Sequence, residues 1–158
     1  MKVVEYTVML DSYRKDVLSV INVYIYNDSD TLSSPENIRR LLNKLYYADK
    51  LAEEYAWLLA LDAQTIPKGI FQISHGTVNS SFLSPREVFL RLLLCGATSF
   101  VVVHNHPSGI PNPSTEDKTV TQRLKEAGEL LGIRLLDHII IGEDCCYSFL
   151  VDGKLNEH

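Results

Sequence analysis

Residues 100–117 read FVVVHNHPSGIPNPSTED, and this stretch decides how the chain folds. It starts inside a run of mainly apolar residues, Ser99 to Val103, that predicts a short buried strand. It ends where a second element begins, because Ser114 can cap a helix that runs to about Leu131. Between the two, residues 105–113 contain three prolines and one glycine, which predicts a stiff loop.

Two histidines stand at the end of this strand, and an aspartate follows in the first turn of the helix. Because side chains alternate along a strand, His104 and His106 project to the same face. The loop can bring Asp117 back beside them. Two imidazoles and one carboxylate leave a fourth position open, which is the pattern of catalytic rather than structural zinc. The alternative is a plain helix cap with acidic residues in its first turn, a role that Ser114 and Glu116 also suit.

Strands and helices alternate along the rest of the chain. Apolar alternation around Tyr6 and the β-branched run from Val20 to Tyr26 predict N-terminal strands, followed by a turn at residues 27–30. One helix is predicted from Ser34 to as far as Leu51, and another from a capping box at Ser84 to about Cys95. Further strands are predicted at residues 55–61, 70–74, 133–141 and 146–151, with turns at 67–69 and 142–144. This alternation predicts an α/β domain with helices on both faces of a sheet.

The composition limits the possible functions. With 158 residues, of which 46% are hydrophobic and 22% charged, the chain has the size and core of one ordinary domain. A net charge of -5 argues against a protein whose main task is to neutralise nucleic-acid phosphates. The longest apolar runs are too short to span a bilayer, and the first twenty residues do not resemble a signal peptide. Three cysteines, two of them adjacent, suit a reducing compartment, so a cytoplasmic protein is expected.

Other motifs of metal enzymes and nucleases do not fit. The sequence contains no H-E-x-x-H, and it lacks both parts of the zinc deaminase signature, H-x-E and P-C-x-x-C. The letters of residues 104–106 coincide with the name of the HNH nucleases, but that name refers to residues spread over a longer ββα motif. The acidic balance of the chain gives a nuclease no support.

The same residues resemble a known family. His104-x-His106, followed after seven residues by Ser114-x-x-Asp117, is similar to the JAMM signature of the MPN (JAB) metalloprotease superfamily. The longer text HNHPSGIPNPSTED, followed by RLKEAGELLGIRLLDHIIIG, resembles the RadC branch of bacteria. This similarity runs from about residue 33 to residue 149. It implies a three-layer α-β-α fold with a mixed sheet, like that of the cytidine deaminases.

The resemblance implies roles for the quoted residues. In the family the two histidines and the aspartate bind zinc, so His104, His106 and Asp117 are the expected metal ligands. The family's serine helps to stabilise the oxyanion, and this role falls on Ser114. The implied activity is that of a metallopeptidase or isopeptidase, which cleaves an amide bond of a peptide or protein with a zinc-activated water.

The general base is an upstream glutamate in the family, and local spacing does not fix its position. In RadC-like sequences it opens the strand that ends in a Leu-Asp pair, here residues 54–62. Glu54 is therefore the expected base, and Glu53 is the alternative. The plain structural interpretation is that both are solvated residues at a helix end. His75 and His138 also match family text without a catalytic role, and His138 is expected to be a hydrogen-bonded strand histidine.

The expected organisation is one RadC-like JAB domain over residues 1–158, with strands in residues 1–33 and the family core in 34–151. The helical region of helix-hairpin-helix character that full-length RadC proteins carry is not expected here, nor is DNA association through it. Two rival functions remain open. One is a DNA-repair-associated or interaction protein whose metal site is not a protease, and the other is a non-catalytic scaffold, against which the complete ligand set argues. No membrane partner is expected, and the oligomeric state stays open.

Overall fold

The computed structural model describes residues 2–25, 32, 34–76 and 83–155. These residues form a mixed seven-stranded sheet, three α-helices and one short 3-10 helix. In chain order the elements are β1 (Lys2–Leu10), β2 (Asp16–Ile25), α1 (Pro35–Tyr46), the 3-10 helix Ala48–Lys50, β3 (Glu54–Leu61), β4 (Pro67–Gly76), α2 (Pro85–Leu94), β5 (Ser99–Asn105), α3 (Thr115–Leu131), β6 (Arg134–Ile141) and β7 (Cys146–Ser148). Tyr26 and the turn predicted at residues 27–30 lie outside the described residues.

The sheet has the strand order β2-β1-β4-β3-β5-β6-β7. Strand β1 is parallel to β4 and β5 is parallel to β6, whereas the other neighbours are antiparallel. Strand β5 is therefore an interior strand, and it is buried along its whole length. Helices are needed on both sides of such a strand because neither face can be left to water.

Two hydrophobic cores fill the space between the sheet and the helices. On one face, helix α1 contributes Leu41 and Leu42, which join a core that includes Trp57 of β3. On the other face, Leu92 of α2 and Leu124 of α3 join a core that includes Phe71, Phe100 and Ile140. The three-layer α-β-α architecture with a mixed sheet, predicted from the resemblance, is confirmed.

Helix α1 ends earlier than predicted. Ser34 caps it as expected, since its hydroxyl accepts a hydrogen bond from the Asn37 amide at 3.2 Å. The helix stops at Tyr46 because Tyr47 adopts a left-handed conformation with φ 54°. The Asn43 side chain then accepts a hydrogen bond from the Asp49 amide at 3.1 Å and turns the chain into the 3-10 helix. Apolar spacing alone reveals neither the left-handed residue nor this side-chain bond.

The turn predicted at residues 67–69 is wrong, because β4 already begins at Pro67. The chain reverses earlier, where the Asp62 carboxylate accepts hydrogen bonds from the amides of Gln64 (2.8 Å) and Ile66 (2.9 Å). This is the usual role of an aspartate at the start of a turn. Gly69 serves packing instead, since a Cβ at this position would lie 2.7 Å from the Tyr6 ring.

Two further boundaries differ from the prediction. Helix α2 begins after Ser84, but among the described residues this side chain makes no capping hydrogen bond, and Glu87 pairs with Arg91 instead. Strand β7 ends at Ser148 rather than at residue 151. The Ser148 hydroxyl donates to Asp137 at 2.6 Å and accepts from the Val151 amide at 3.1 Å, which bends the chain into a turn.

No helix in the described part of the chain is both long and apolar enough to cross a membrane.

Gly128 shows how closely α3 packs on the chain that follows it. A Cβ at Gly128 would lie 2.4 Å from the carbonyl oxygen of Ile133. In an exposed helix, replacing glycine with alanine gains about 1 kcal/mol. Here we expect Gly128→Ala to lower the free energy of unfolding by roughly 1–3 kcal/mol, because the backbone must move apart. Denaturant titration measures the difference, with Gln122→Ala on the exposed face of α3 as the control. A stabilised Gly128→Ala protein would contradict this packing.

Candidate metal centre

Strand β5 carries the first histidine to the end of the sheet. His104 pairs with Ala56 of β3 on one side and with Ile140 of β6 on the other, so it sits between two strands and is 1% exposed. His106 lies just past the strand, where its main-chain amide donates to the Ile141 carbonyl at 2.9 Å. This bond extends the hydrogen-bond ladder between β5 and β6 by one residue, and it keeps the imidazoles of His104 and His106 on the same side of the sheet.

Main-chain hydrogen bonds hold the loop after His106 in place, both within the loop and to the turn that follows β6. The Gly109 amide donates to the His106 carbonyl at 2.9 Å, and the Gly109 carbonyl accepts from the Glu143 amide at 3.0 Å. Gly142 makes this approach possible, since a Cβ there would lie 2.4 Å from the Gly109 oxygen. The Ile110 carbonyl in turn lies 2.9 Å from Nδ1 of His106 and fixes its ring. The loop therefore orients one histidine while it returns the chain to α3.

Helix α3 begins with a reciprocal cap between Ser114 and Asp117. The Ser114 hydroxyl oxygen accepts from the Asp117 amide at 3.0 Å, and the Ser114 amide donates to Oδ2 of Asp117 at 2.8 Å. The Ser114 hydroxyl also donates to the same Oδ2 at 2.7 Å. Asp117 thus belongs both to the helix cap and to the candidate ligand set. In this position Oδ1 of Asp117 faces His104 and Oδ2 faces His106.

The donor atoms of the three expected ligands converge on one point. Nε2 of His104 lies 3.0 Å from Nε2 of His106 and 3.2 Å from Oδ1 of Asp117. Nε2 of His106 lies 3.5 Å from Oδ2 of Asp117. Ligands bound tetrahedrally at about 2.0–2.1 Å are separated by about 3.3 Å, so these spacings fit one zinc-sized ion. The chemistry agrees, because two imidazole nitrogens and a carboxylate this close favour a shared cation.

Glu54 opens β3 beside these donors. Its side chain is 5% exposed, and Oε1 lies 3.8 Å from Nε2 of His104. One donor atom each from Glu54, His104 and His106 lies within 4.8 Å of the others, so this trio could also hold a metal ion. Glu53, the alternative base, is exposed and pairs with His75 of β4. The structure thus brings Glu54 to the centre and turns Glu53 toward a different partner.

Asn105, between the two histidines, holds the strand that carries Glu54. Its amide group accepts from the Tyr55 amide at 2.8 Å and donates to the Glu53 carbonyl at 3.0 Å. The side chain is 1% exposed, and its two hydrogen bonds hold the backbone on both sides of Glu54. Sequence reasoning missed this residue. The sequence offered one signal, an amide side chain at a position that projects to the opposite face of the strand from the two histidines.

The local charges shift the pKa values of these groups in opposite directions. Burial would raise the pKa of Asp117, but the two facing imidazoles and the Ser114 hydroxyl outweigh it and hold this pKa well below its usual range. Burial would lower the pKa of His106, yet its hydrogen bonds to Asp117 and to the Ile110 carbonyl raise it. Burial raises the pKa of Glu54, although the two histidines oppose this shift. The centre thus holds an ionised carboxylate next to a more basic one.

Behind His104 lies a third histidine. His138 of β6 is fully buried, and its Nε2 is 2.9 Å from Nδ1 of His104. Burial lowers the pKa of His138 well below its usual value. The prediction that His138 is a hydrogen-bonded strand histidine is confirmed. Its partner on the far side, Thr121 of α3, was not identified from the sequence.

The fold and the site together indicate one class of protein. It is an α-β-α domain with a candidate metal centre, formed by a His-x-His pair at the end of an interior strand and a helix-capping aspartate. The chain belongs to the RadC-like JAB domain family, whose sequence model matches residues 32–155. The β1–β2 hairpin precedes the matched region.

Curated relatives in this family are named UPF0758 proteins. One from Pelobacter propionicus is 42% identical over 127 residues, which are 80% of this chain and 54% of that relative. One from Geobacter sulfurreducens is 42% identical over 128 residues, or 80% of this chain and 55% of the relative. A third, from Clostridium botulinum, is 49% identical over 105 residues, or 66% and 46% of the two chains. The chain therefore spans about half the length of the curated relatives it matches.

Proposed function

We propose that this domain is a zinc-dependent hydrolase that cleaves an amide bond, either in a peptide or in an isopeptide linkage. The observation that carries the proposal is the convergence of His104, His106 and Asp117, whose donor atoms stand 3.0–3.5 Å apart. Membership in the RadC-like JAB domain family supports it, because the JAB superfamily often has hydrolytic activity. We propose a peptide or protein as substrate rather than a nucleic acid, since the chain has a net charge of -5.

In this proposal His104, His106 and Asp117 hold the zinc ion. Zinc, when bound, supplies a Lewis acid that lowers the pKa of a water molecule and polarises a carbonyl group. The protein then has to take a proton from the attacking water and return it to the leaving amine. A carboxylate close to the reacting atoms suits both halves of this task, because it can accept a proton and release it again.

Glu54 is the group we assign to that proton transfer. Its carboxylate is nearly buried and lies 3.8 Å from the closest ligand nitrogen, which is longer than the separations within the ligand set. Burial also raises its pKa. Asn105 keeps the backbone of β3 in place on both sides of it. A base that must return its proton needs such a fixed position.

Ser114 is the group we assign to the substrate oxygen. Its single hydroxyl proton now points to Oδ2 of Asp117, and its oxygen accepts from the Asp117 amide. We propose that this hydroxyl turns to donate to the oxyanion that develops on the substrate carbonyl. A hydrogen bond of this kind is typically worth about 3–4 kcal/mol in the transition state.

The proposal is tested by metal analysis and by a substrate screen. Protein purified without a polyhistidine tag and supplied with zinc should contain one ion per chain. A library of peptides and isopeptide-linked conjugates should contain a member that is hydrolysed, with activity lost to a chelator and restored by zinc. Protein that takes up no stoichiometric metal would overturn the zinc site. Protein that binds zinc but cleaves neither kind of bond would overturn the hydrolase.

A further inference from the structure

A chain of hydrogen bonds leads from the candidate metal centre into the core. It starts at Nδ1 of His104, which lies 2.9 Å from Nε2 of His138. Nδ1 of His138 lies 2.6 Å from the hydroxyl oxygen of Thr121, and that hydroxyl lies 2.5 Å from the main-chain oxygen of Asp117. The three side chains are at most 4% exposed, so water does not compete for these bonds. The position of each proton in this series of hydrogen bonds therefore follows from which neighbouring atoms can donate and which can only accept.

The main-chain carbonyl of Asp117, at the inner end of this series of hydrogen bonds, fixes which atom donates in its bond with Thr121. The main-chain oxygen of Asp117 can only accept a hydrogen bond. Two oxygens at 2.5 Å need a proton between them, and only the Thr121 hydroxyl has one to give. Since that proton is used, the Thr121 oxygen is left as an acceptor toward His138. Nδ1 of His138 must then carry a proton and donate it to Thr121.

The burial of His138 fixes the next bond. Its ring has no exposed surface and stacks on Phe149, with the ring centroids 5.0 Å apart. A second proton would place a charge in this apolar contact, which is unfavourable. Nε2 of His138 therefore keeps its lone pair and accepts from Nδ1 of His104. His104 carries its proton on Nδ1, and its Nε2 is the atom directed at His106 and Asp117.

We infer that Thr121 and His138 are positioning residues, which set the tautomer and ring orientation of His104 so that Nε2 is the metal-binding atom. A metal-bound histidine usually donates its other ring N–H to a carbonyl, carboxylate or water. His106 follows this rule with the Ile110 carbonyl. For His104 the acceptor is a histidine, and Thr121 determines which nitrogen of that histidine accepts. The identity of the ion rests on the proposed function, whereas the tautomer is a property of the metal-free protein.

Thr121→Val tests this inference without touching any ligand. Valine has nearly the shape of threonine and lacks the hydroxyl, so Nδ1 of His138 loses its acceptor. The proton of His138 can then move to Nε2, where it opposes the proton on His104. We expect zinc affinity, measured by competition with a chromophoric chelator, to fall by about 10-fold or more. Thr121→Ser keeps the hydroxyl and should bind zinc within about threefold of wild type.

Thr119 provides a matched control on the same helix. Its hydroxyl donates to the Thr115 carbonyl at 2.9 Å, which is the same bond that Thr121 makes to Asp117, but Thr119 is exposed. Thr119→Val therefore removes an equivalent helix contact away from the centre. It should leave zinc affinity unchanged. A folded Thr121→Val protein with wild-type affinity, or an equal loss in Thr119→Val, would overturn the inference.

A second measurement does not depend on zinc binding or on a folded variant. Long-range ¹H–¹⁵N spectra of the metal-free wild-type protein, recorded at a pH where histidines are neutral, report which ring nitrogen carries the proton. We expect His104 and His138 both to be protonated at Nδ1. A His104 protonated at Nε2 would overturn the inference even if zinc binds. The expected tautomers in a protein that binds no zinc would instead support the inference and contradict only the proposed function.

Discussion

Replacing His106 with alanine is expected to remove stoichiometric zinc and hydrolysis together while the fold survives. His106 is one of the three proposed ligands, and its side chain is 16% exposed at the end of the sheet, so its removal leaves only a small cavity. The loss of affinity should exceed the upper limit of about 100-fold that is typical for residues behind the ligands. Metal content after dialysis and a thermal unfolding scan measure the two effects separately.

His104→Ala and His75→Ala complete this experiment. His104 is more deeply buried, so His104→Ala should lose metal and also some stability. His75 is an exposed histidine that pairs with Glu53 and stacks on Tyr55, away from the ligand atoms. His75→Ala should keep one zinc ion per chain. If zinc content follows His75 instead of His106, the ion binds at a surface site and the assigned ligands are wrong.

Replacing Glu54 with glutamine separates proton transfer from metal binding. Glutamine keeps the shape of the side chain and cannot accept the proton. We expect zinc content near that of wild type and hydrolysis slower by a factor on the order of 10² or more. The measurement is the turnover rate of the zinc-loaded variant on a substrate from the screen, with metal content determined on the same sample.

Glu53→Gln is the matched control, since it changes the same functional group one residue earlier on an exposed side chain. It should remain active. If Glu54→Gln also loses its zinc, Glu54 is a ligand, as its place within 4.8 Å of the histidine donors permits. If Glu54→Gln is fully active and Glu53→Gln is inactive, the assignment is off by one residue. If both are active on a substrate that His104→Ala cannot cleave, neither glutamate is the base.

The parts of the fold that follow from local signals were predictable from the sequence. Strand β5 is a short apolar run, and α3 begins at a serine cap, so both elements were located with small errors in their ends. The predictions failed where a side chain ends an element. Asn43 closes α1, Asp62 makes the turn before β4, and Ser148 ends β7. These bonds form between residues that carry no distinct apolar pattern.

The candidate site also has one part that local sequence signals predicted and another part that they did not. His104 and Asp117 lie on two consecutive elements and His106 begins the short loop between them, so their spacing in the sequence already points to one centre. Glu54 reaches this centre only because β3 pairs with β5, a contact between residues about fifty positions apart. No local pattern predicts that pairing, and the resemblance to a family was needed to find it. The contacts of Asn105 likewise depend on the assembled sheet.

The reciprocal cap at the start of α3 affects how the protein would acquire its ion. Because Ser114 holds the Asp117 carboxylate in place as part of ordinary helix formation, the third proposed ligand is in position as soon as the helix has formed. Uptake of the ion then requires the loss of its hydration water and no rearrangement of the start of α3. We expect loading and exchange to be limited by access past the partly exposed His106, so that folded, metal-free protein can be charged with different divalent ions without being unfolded first.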